Sequence, residues 1–577
     1  MIDVIKKIAD LQEGPKPNPE KGIGRECYAF SQTEDRAFEL LKTEAENLFQ
    51  TNGLDASAYE IQTDAIGNLF VTLHGKDREK TVMSGSHVDS VYKGGMYDGV
   101  AGVHSAFRFL ETLIREGKTP DLNYTVAVFR AEEASPKTGN TCIGSRVATG
   151  TLKEADLLKI NYLLDDGTHV PFSKYFQEKY GTERWQEVLE ELKNPPIRRS
   201  KVVAYEELHI EQSAVCDLKN VDVGIVIDGI GGAIRQTVEI PFELKYLHEM
   251  EVLRKSHLQY TLKFEGEEAH TGGTPPNPTM LREDKNSTWY RRDALVAAAL
   301  FANALIKSEL GGHIKISTFT MPQKVGFTTV PKEQTLQFMI PANLWNVMEK
   351  YLGDIAIEVK NYLDVKLKYE HDMLPPGRVS YFDPKVFNAL QIPIFVEQQV
   401  REKCQEQIRQ SGSIVGRVRG TVTDFCISNP AAGSAEKPSV QCNLDFREVD
   451  PIEIEGIINA VHRRVLEIAA ELTGPEELKD RRNTIVRTVS RKPHTPLDEE
   501  AIKEKTRIAE EKSFNVMKMP SLPGHDAASL GYIGIPISMT FVRHDGRSHT
   551  GFETMPAHHY LKAEQISHAF LAKKLGV

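Results

Sequence analysis

The densest group of residues that could do chemistry lies in GSHVDSVYKGGMYDGVAG, residues 85–102, which includes His87, Asp89 and Asp98. An imidazole with a carboxylate two residues further on suits a metal ligand and its partner, since ligating imidazoles usually donate their other N–H to a carboxylate. Asp98 precedes a helical pattern, and carboxylates are favoured at helix N-termini in any case. On this segment alone, metal binding and helix capping both remain open for Asp98.

Two adjacent glutamates, Glu132 and Glu133, follow the apolar run TVAVF at residues 125–129. That run predicts a buried strand, so the pair would lie at the carboxyl edge of a sheet, where α/β enzymes build their sites. Because neighbouring side chains point apart, one carboxylate could bind a metal while the other takes a proton from the attacking water. A solvated loop is the simpler interpretation of the pair taken alone.

Further candidates are His209 and Glu211 in YEELHIEQS, and His544 and His549 in RHDGRSHTGFE. A single histidine among the 18 of this chain is more often a core or surface residue than a ligand. The six cysteines are scattered without a CxxC pair, which weakens zinc-ribbon and disulfide-framework interpretations. Any metal must therefore be held by histidines and carboxylates.

Composition limits the class of protein. The net charge of -10 argues against nucleic acid as a partner, because phosphate binding needs a basic surface. The chain has neither an uninterrupted apolar run of about 18 residues nor a signal-peptide pattern, so we expect no membrane partner and a cytoplasmic location. A length of 577 residues predicts a multi-domain protein.

The elements that would position these residues alternate between helix and strand in the first part of the chain. After Asp98, apolar residues recur at spacings of three and four from Val100 to Ile114, and Gly117 follows, which predicts one helix. This alternation is typical of an α/β layer with an at least partly parallel sheet. From about Thr495 the same alternation returns and would complete that layer.

The middle of the chain has a different pattern. Alternating apolar residues predict half-buried strands at residues 258–264 and 440–446, each followed by a long helix, at 293–310 and 452–472. We therefore expect an antiparallel sheet covered by helices. Residues 335–420 are charged and carry several prolines without a recognisable period, so they are predicted to be an insertion.

Ten segments occur in a fixed order along nearly the whole chain. They are GRECYAFSQTEDRAF, DAIGNLF, GSHVDSVYKGGMYDGVAG, FRAEE, GSR, ELHIEQ, EEAHTGGTP, NLDFR, MPSLPGHDA and RSHTGFE. Together they resemble the hydantoinase/carbamoylase branch of the dinuclear aminoacylase and carboxypeptidase metallohydrolases. The resemblance implies an α/β fold, with a catalytic domain built on a mixed sheet from residues 1–225 and 490–577. A smaller α+β dimerisation or lid domain with an antiparallel sheet, residues 226–489, would be inserted and enlarged near 235–257, 276–290 and 335–420.

The resemblance also implies two divalent metal ions. His87 and His209 would hold the first ion, Glu133 and His549 the second, and Asp98 would bridge both. Mixed histidine and carboxylate ligands suit Zn(II) or Mn(II), with Co(II) or Ni(II) as further options. His525, in GHDA, would either support the second ion or be a satisfied interior histidine.

The remaining implied roles concern catalysis and substrate. Glu132 would be the general base, Asp89 would orient His87, and His270 would stabilise the oxyanion, often from across a dimer interface. Arg447 would bind a substrate carboxylate, although a surface ion pair is the alternative for it, and Gln212 would also contact substrate. A histidine at position 209, where aminoacylases and dipeptidases usually place a carboxylate, resembles enzymes acting on carbamoyl and ureido groups.

The chain departs from the pattern of this branch at several substrate-facing positions. Ser434 stands where the branch has an asparagine that binds the substrate carboxylate, Ser213 replaces the glycine of HIEQG, and Gly551 replaces the proline of SHxPxE. The TPM motif is stretched into TPPNPTMLREDKNSTWYRRDA. Since the five ligands are intact, we expect the same type of chemistry on an altered substrate.

The expected protein is thus a homodimeric amidohydrolase that cleaves a C–N bond of an N-carbamoyl amino acid or related ureido compound and releases ammonia and carbon dioxide. Its small-molecule substrate would carry a carbamoyl, ureido or amide group and a carboxylate. The alternatives are an aminoacylase or dipeptidase, a metal-free binding protein, and a structural zinc protein. The last fits poorly, because structural zinc sites usually close with four Cys or His ligands.

Overall fold

A computed structural model gives the structure of the chain and divides it into two compact units, which are residues 1–230 with 495–577 (unit 1) and residues 231–494 (unit 2). The structure describes residues 4–12, 15–213, 215–242, 245–246, 256–266, 292–320, 330–363, 365–373, 380–381, 384–411, 418–428, 438–448, 451–473, 485–544 and 548–577.

The first part of unit 1 alternates helices and strands. Its strands are β1 Tyr59–Thr63, β2 Leu69–Leu73, β3 Asp77–His87, β4 Leu122–Phe129, β5 Asn161–Leu163, β6 His169–Pro171, β7 Val202–Ile210 and β8 Val223–Ile230. Its helices are α1 Val4–Ala9, α2 Gln32–Thr51, α3 Val100–Arg115, α4 Ile143–Ala148, α5 Glu154–Leu157, α6 Phe172–Tyr180, α7 Thr182–Glu191 and α8 Val215–Leu218.

Unit 2 is built mainly from two four-stranded antiparallel sheets and long helices. Its strands are β9 Gly232–Pro241, β10 Lys245–Tyr246, β11 His257–Glu265, β12 Lys315–Thr320, β13 Glu333–Pro341, β14 Lys366–Met373, β15 Ser380–Tyr381, β16 Val418–Ser428, β17 Ser439–Glu448 and β18 Val486–Lys492. Its helices are α9 Ala294–Lys307, α10 Trp345–Leu363, α11 Gln391–Ser411 and α12 Pro451–Thr473. The sheets have the orders β12-β13-β11-β14 and β16-β17-β9-β18, and their apolar faces share one core cluster with the helices.

The end of the chain returns to unit 1. Its elements are α13 Glu499–Glu511, β19 Val516–Ser521, α14 Asp526–Tyr532, β20 Ile537–Val542 and α15 Ala557–Leu575. Strands β19 and β20 join an eight-stranded mixed sheet of order β1-β2-β4-β3-β7-β20-β8-β19. The neighbours β4, β3, β7 and β20 run parallel, so their carboxyl ends meet at one edge of the sheet.

The predicted fold class is confirmed, a mixed-sheet α/β unit with separate antiparallel sheets. Helix α3 shows why the sequence pattern was informative. Its apolar residues at spacings of three and four, Val100 to Ile114, are all buried, and Gly117 takes a left-handed conformation just past its end. Residues 335–420, where the sequence showed no period, contain helices α10 and α11 and strand β14. No helix in the described ranges is long and apolar enough to cross a membrane.

Candidate metal centre

The predicted ligands of unit 1 come from the carboxyl ends of four parallel neighbours. His87 is the last residue of β3 and lies opposite Phe129, the last residue of β4, after which Glu132 and Glu133 follow. His209 lies near the end of β7, and His549 follows β20. Side chains far apart in sequence therefore meet at the edge where α/β folds place their sites.

Asp98 lies at the centre of this cluster and offers a different oxygen to each side. Its Oδ1 is 3.1 Å from His209 Nε2 and 3.9 Å from His87 Nε2. Its Oδ2 is 3.3 Å from His549 Nε2, which in turn is 3.2 Å from Glu133 Oε1. The Asp98 carboxylate is thus shared by two groups with the spacing of metal ligands. One group contains His87 and His209, and the other contains Glu133 and His549.

The donor atoms fit divalent cations. His87 Nε2, His209 Nε2 and Glu133 Oε1 are buried and lack a hydrogen bond of good geometry within the part of the chain that the structure describes. Burying polar atoms without well-formed hydrogen bonds costs free energy, so such atoms are rare unless a ligand satisfies them. Imidazole and carboxylate donors are the set that binds zinc and manganese. The residues present therefore suit one divalent ion on each side of Asp98.

The electrostatics of the cluster respond strongly to burial and to Asp98. Burial lowers the pKa of His87, which favours the neutral ring that metals bind. Burial has the same tendency at His209, but the Asp98 carboxylate outweighs it and raises the pKa of His209 to about 9. Burial opposes ionisation of Asp98, yet His209 and His549 hold the pKa of this carboxyl well below its usual range. Metal binding at neutral pH would therefore displace a proton from His209.

Helix capping does not account for Asp98. The N-cap residue of α3 is Gly99, with φ of 69°, and the helix has no side-chain capping hydrogen bond. A Cβ atom on Gly99 would lie 2.5 Å from Nε2 of His87. A glycine is thus required for the His87 ring to approach the start of the helix, and the Asp98 carboxylate faces the histidines.

Asp89 links the first histidine to the glutamate pair. Its Oδ1 is 3.3 Å from His87 Nδ1 and accepts the N–H of Glu132 at 3.0 Å, while its Oδ2 accepts the N–H of Glu133 at 3.1 Å. Burial raises the pKa of Asp89 to about 7, although these two N–H groups favour the charged form. One carboxylate can thus orient the His87 ring and hold the backbone that carries both glutamates.

Glu132 lies close to His87 but belongs to neither of the two ligand groups that share Asp98. Its Oε2 is 3.8 Å from His87 Nε2, and the Cys142 thiol donates to its Oε1 at 3.3 Å. Ala131, Cys142 and His549 have positive φ values of 53°, 54° and 62°. Non-glycine residues in this conformation are costly and cluster at functional sites. Glu132 is placed where a carboxylate could exchange protons with water next to a metal.

Gln212 contacts the shared carboxylate. Its side-chain Nε2 donates to Asp98 Oδ2 at 3.1 Å and lies 3.4 Å from His549 Nε2. By contrast, Glu211 accepts the N–H groups of Val215 and Cys216 at 2.7 and 2.8 Å. Glu211 therefore holds the first turn of α8, whereas Gln212 faces the cluster.

His525 and His544 lie near the cluster but belong to neither of the two ligand groups that share Asp98. The His525 ring packs 4.5 Å from the His209 ring, and its Nε2 hydrogen bonds with Ser521 Oγ at 2.9 Å. It is buried on the His209 side of the site, where it forms a further group with metal-ligand spacing together with Glu207 and His209, so both interpretations of His525 stay open. His544 Nε2 is 3.0 Å from the carbonyl of Ser213.

Arg447 belongs to unit 2 and is buried in strand β17. Its Nε donates to both carboxylate oxygens of Asp445, at 3.1 and 3.0 Å. The alternative considered from the sequence was a surface ion pair. Arg447 does form an ion pair, with Asp445, but both side chains are buried. Arg447 Nη2 has no hydrogen-bond partner among the described residues. His270 and Ser434 lie outside the described residues.

Two residues that the sequence analysis did not single out also support the site. Glu207, on the same face of β7 as His209, accepts from Ser86 Oγ at 2.8 Å and from the N–H of Ala527 at 2.9 Å. Glu553 Oε1 accepts the N–H of Asp98 at 3.2 Å, and burial raises the pKa of this carboxyl to about 8. The period of two along β7 could have indicated Glu207, and the RSHTGFE motif contains Glu553.

The chain belongs to peptidase family M20/M25/M40, whose model matches residues 83–573. A ureidoglycolate hydrolase of Arabidopsis thaliana is 26% identical over 307 residues, which cover 53% of this chain and 52% of that protein. An N-carbamoyl-L-amino-acid amidohydrolase of Paenarthrobacter aurescens is 26% identical over 306 residues, covering 50% and 62%. The chain thus spans about half to three-fifths of the length of these curated relatives.

Solved structures share the fold. A hydantoinase/carbamoylase family amidase from Burkholderia vietnamiensis matches with a TM-score of 0.54 at 18% identity, covering 99% of this chain and 96% of that one. At this identity the likeness is one of fold. Together with the family match and the names of the relatives, it confirms the resemblance that the ordered motifs indicate.

Proposed function

We propose that this protein is an amidohydrolase with two divalent metal ions that cleaves a C–N bond of an N-carbamoyl amino acid or related ureido compound. The observation that carries the proposal is the shared Asp98 carboxylate, with one oxygen toward His87 and His209 and the other toward His549, next to Glu133. Relatives named for ureido and carbamoyl substrates support this substrate class. We further propose Zn(II) or Mn(II) as the ions, a homodimer as the assembly and the cytoplasm as the location.

When bound, two divalent ions would polarise the substrate carbonyl and make the attacking water more acidic. Glu132 takes the proton from that water and returns it to the leaving nitrogen. Asp89 keeps Glu132 in place through its backbone N–H and keeps the His87 ring oriented. On an N-carbamoyl amino acid, water adds to the carbonyl carbon and one C–N bond breaks, which gives ammonia and an N-carboxy amino acid. This carbamic acid then loses carbon dioxide and leaves the free amino acid.

We assign substrate recognition to Arg447 and Gln212, and stabilisation of the oxyanion to His270. The buried Arg447 guanidinium leaves Nη2 without a partner in the described part of the chain, which suits a substrate carboxylate. The Gln212 amide faces the cluster and suits the polar ureido group. His270 stabilises the oxyanion in this proposal.

A substrate screen tests this function. Metal-reconstituted protein is incubated with N-carbamoyl amino acids, other ureido acids, N-acetyl amino acids and dipeptides, and both ammonia and free amino acids are measured. We expect ammonia from the carbamoyl or ureido compounds. Amino acid released only from the acetylated or dipeptide substrates, with no ammonia, would replace the proposal by an aminoacylase or dipeptidase activity.

A further inference from the structure

A segment before helix α2, residues 18–27, which we call the N-terminal strap, lies against the loop that leads to Asp98. Arg25 N–H donates to the Gly94 carbonyl at 2.7 Å. Ser90 N–H donates to the Cys27 carbonyl at 2.8 Å, and Cys27 N–H donates to Ser90 Oγ at 3.0 Å. These bonds tie the strap to both ends of the segment 90–94.

The strap also lies against the loop that carries His549. A Cβ atom on Gly551 would lie 2.4 Å from the Gly22 carbonyl oxygen, and one on Gly24 would lie 2.0 Å from the Lys93 carbonyl oxygen. The backbone of the strap therefore contacts two loops at distances that exclude side chains. This close approach leaves no room for a side chain at position 551, so a glycine is required there.

Arg25 is the centre of the contact. Its side chain is 1% exposed and donates to four backbone carbonyls. The distances are 2.5 Å to Val88, 3.1 Å to Asp89, 3.2 Å to Gly95 and 3.3 Å to Asp98. The first two carbonyls belong to the residues directly after His87, and the last two belong to the loop that ends in the shared carboxylate.

We propose that Arg25 is a positioning residue for the metal centre, which fixes the distance between His87 and Asp98. The planar guanidinium spans both chain segments with several donors, whereas a lysine ammonium is a point charge on a flexible stem. Without the guanidinium, buried carbonyls on both segments lose their donors and can turn away from each other. This inference rests on the proposed function, because it assigns Arg25 to the site that would hold the ions.

The test compares Arg25→Lys and Arg25→Ala with Arg419→Lys, a control at a similarly buried arginine in unit 2. Each protein is stripped of metal, and its affinity for Zn²⁺ is measured by competition with a chromophoric chelator at a temperature where circular dichroism shows the native fold. Supporting residues of metal ligands typically contribute about 10- to 100-fold in metal affinity. We expect a weakening of this size at one ion or both in Arg25→Lys, a fall in kcat with little change in KM, and wild-type affinity in Arg419→Lys.

Rescue supplies a readout that a general loss of stability would not move. Millimolar guanidinium ion should restore part of the Zn²⁺ affinity of Arg25→Ala and should leave Arg419→Lys unchanged. If Arg25→Ala does not fold, the Zn²⁺ affinity of Arg25→Lys alone tests the positioning role. Wild-type Zn²⁺ affinity in Arg25→Lys, even with reduced thermal stability, overturns the role of Arg25. A wild-type protein that binds no Zn²⁺ would instead overturn the proposed function.

Discussion

Strand β7 buries polar side chains on both of its faces, and the two faces treat them differently. On one face, the Glu206 carboxylate accepts from Lys505 Nζ, from Ser538 Oγ and, at 2.8 Å, from Thr540 Oγ1. On the other face, His209 Nε2 has no hydrogen bond of good geometry among the described residues and lies 3.1 Å from Asp98. The first face pairs its charge within the fold. On the second face Glu207 is also hydrogen-bonded, but the His209 imidazole points into the cluster of candidate ligands around Asp98.

This difference separates structural from functional burial. A buried charge that is paired and hydrogen-bonded is compatible with the folded state, while buried atoms left without partners need an explanation such as an ion or a substrate. Substitutions on the face that carries His209 should therefore change activity and metal binding. Substitutions on the face that carries Glu206 should change the free energy of unfolding.

The largest expected effect is on the site face. Glu132→Gln removes the proposed general base and should lower kcat by about 10²- to 10⁴-fold. The metal content and the thermal unfolding temperature should stay near those of the wild type. Steady-state kinetics and elemental analysis measure both, with the exposed Glu190→Gln on α7 as the matched control. Near-normal turnover in Glu132→Gln would remove this residue from the mechanism.

The opposite face should give the opposite result. Lys505→Met leaves the buried Glu206 carboxylate without its counter-ion, and breaking a buried pair in this way costs about 3 to 5 kcal/mol. Urea denaturation should show this loss, and the double variant Glu206→Gln/Lys505→Met should recover part of it. The number of Zn²⁺ ions bound by the folded variant should not change. A stable Lys505→Met protein that has lost its metal would contradict the division between the two faces.

The smallest effect concerns Glu504, the residue before Lys505 on helix α13, whose partly buried carboxylate pairs with the exposed Arg507 and Lys573. Hydrogen bonds from Arg507, and further ones from Lys573, lower the pKa of this carboxyl to about 2. Its stabilising contribution is therefore present above the ordinary glutamate pKa of about 4.3 and is lost as the pH falls toward 2. Exposed pairs contribute less than about 1 kcal/mol.

Urea denaturation from pH 6 to pH 3 measures this contribution. Glu504→Gln should be slightly less stable than the wild type at pH 6, and the difference should narrow as the pH falls. The exposed Glu510→Gln on the same helix serves as the control. A difference that grows toward low pH would show that the sign of the coupling is wrong.

Local patterns in the sequence predicted the elements with a clear period. Helix α3 and strand β11 have apolar residues at spacings that match one buried face, so their type follows from the pattern. Residues 335–420 did not give such a pattern, although α11 lies within them. The order of the motifs along the chain, rather than any single residue, identified the candidate ligands as one set.

What the sequence could not predict depends on contacts between distant segments. Asp98 has the sequence context of a helix cap, and only the fold turns its carboxylate toward His209 and His549. Arg25 contacts carbonyls more than sixty residues away. Lys505 occurs in a run of charged residues like any exposed helix face, and its burial against Glu206 has no local signal.

The central claim is that Asp98 is shared by two metal ions, and the metal content of a single variant tests it most directly. Wild-type protein and Asp98→Asn are reconstituted with Zn²⁺, freed of unbound ion and measured by elemental analysis beside a circular dichroism spectrum. The account predicts two ions per wild-type chain and a loss at both positions in the folded variant, because the amide cannot bridge as a carboxylate does. Two ions retained in Asp98→Asn, or none in the wild type, would contradict it.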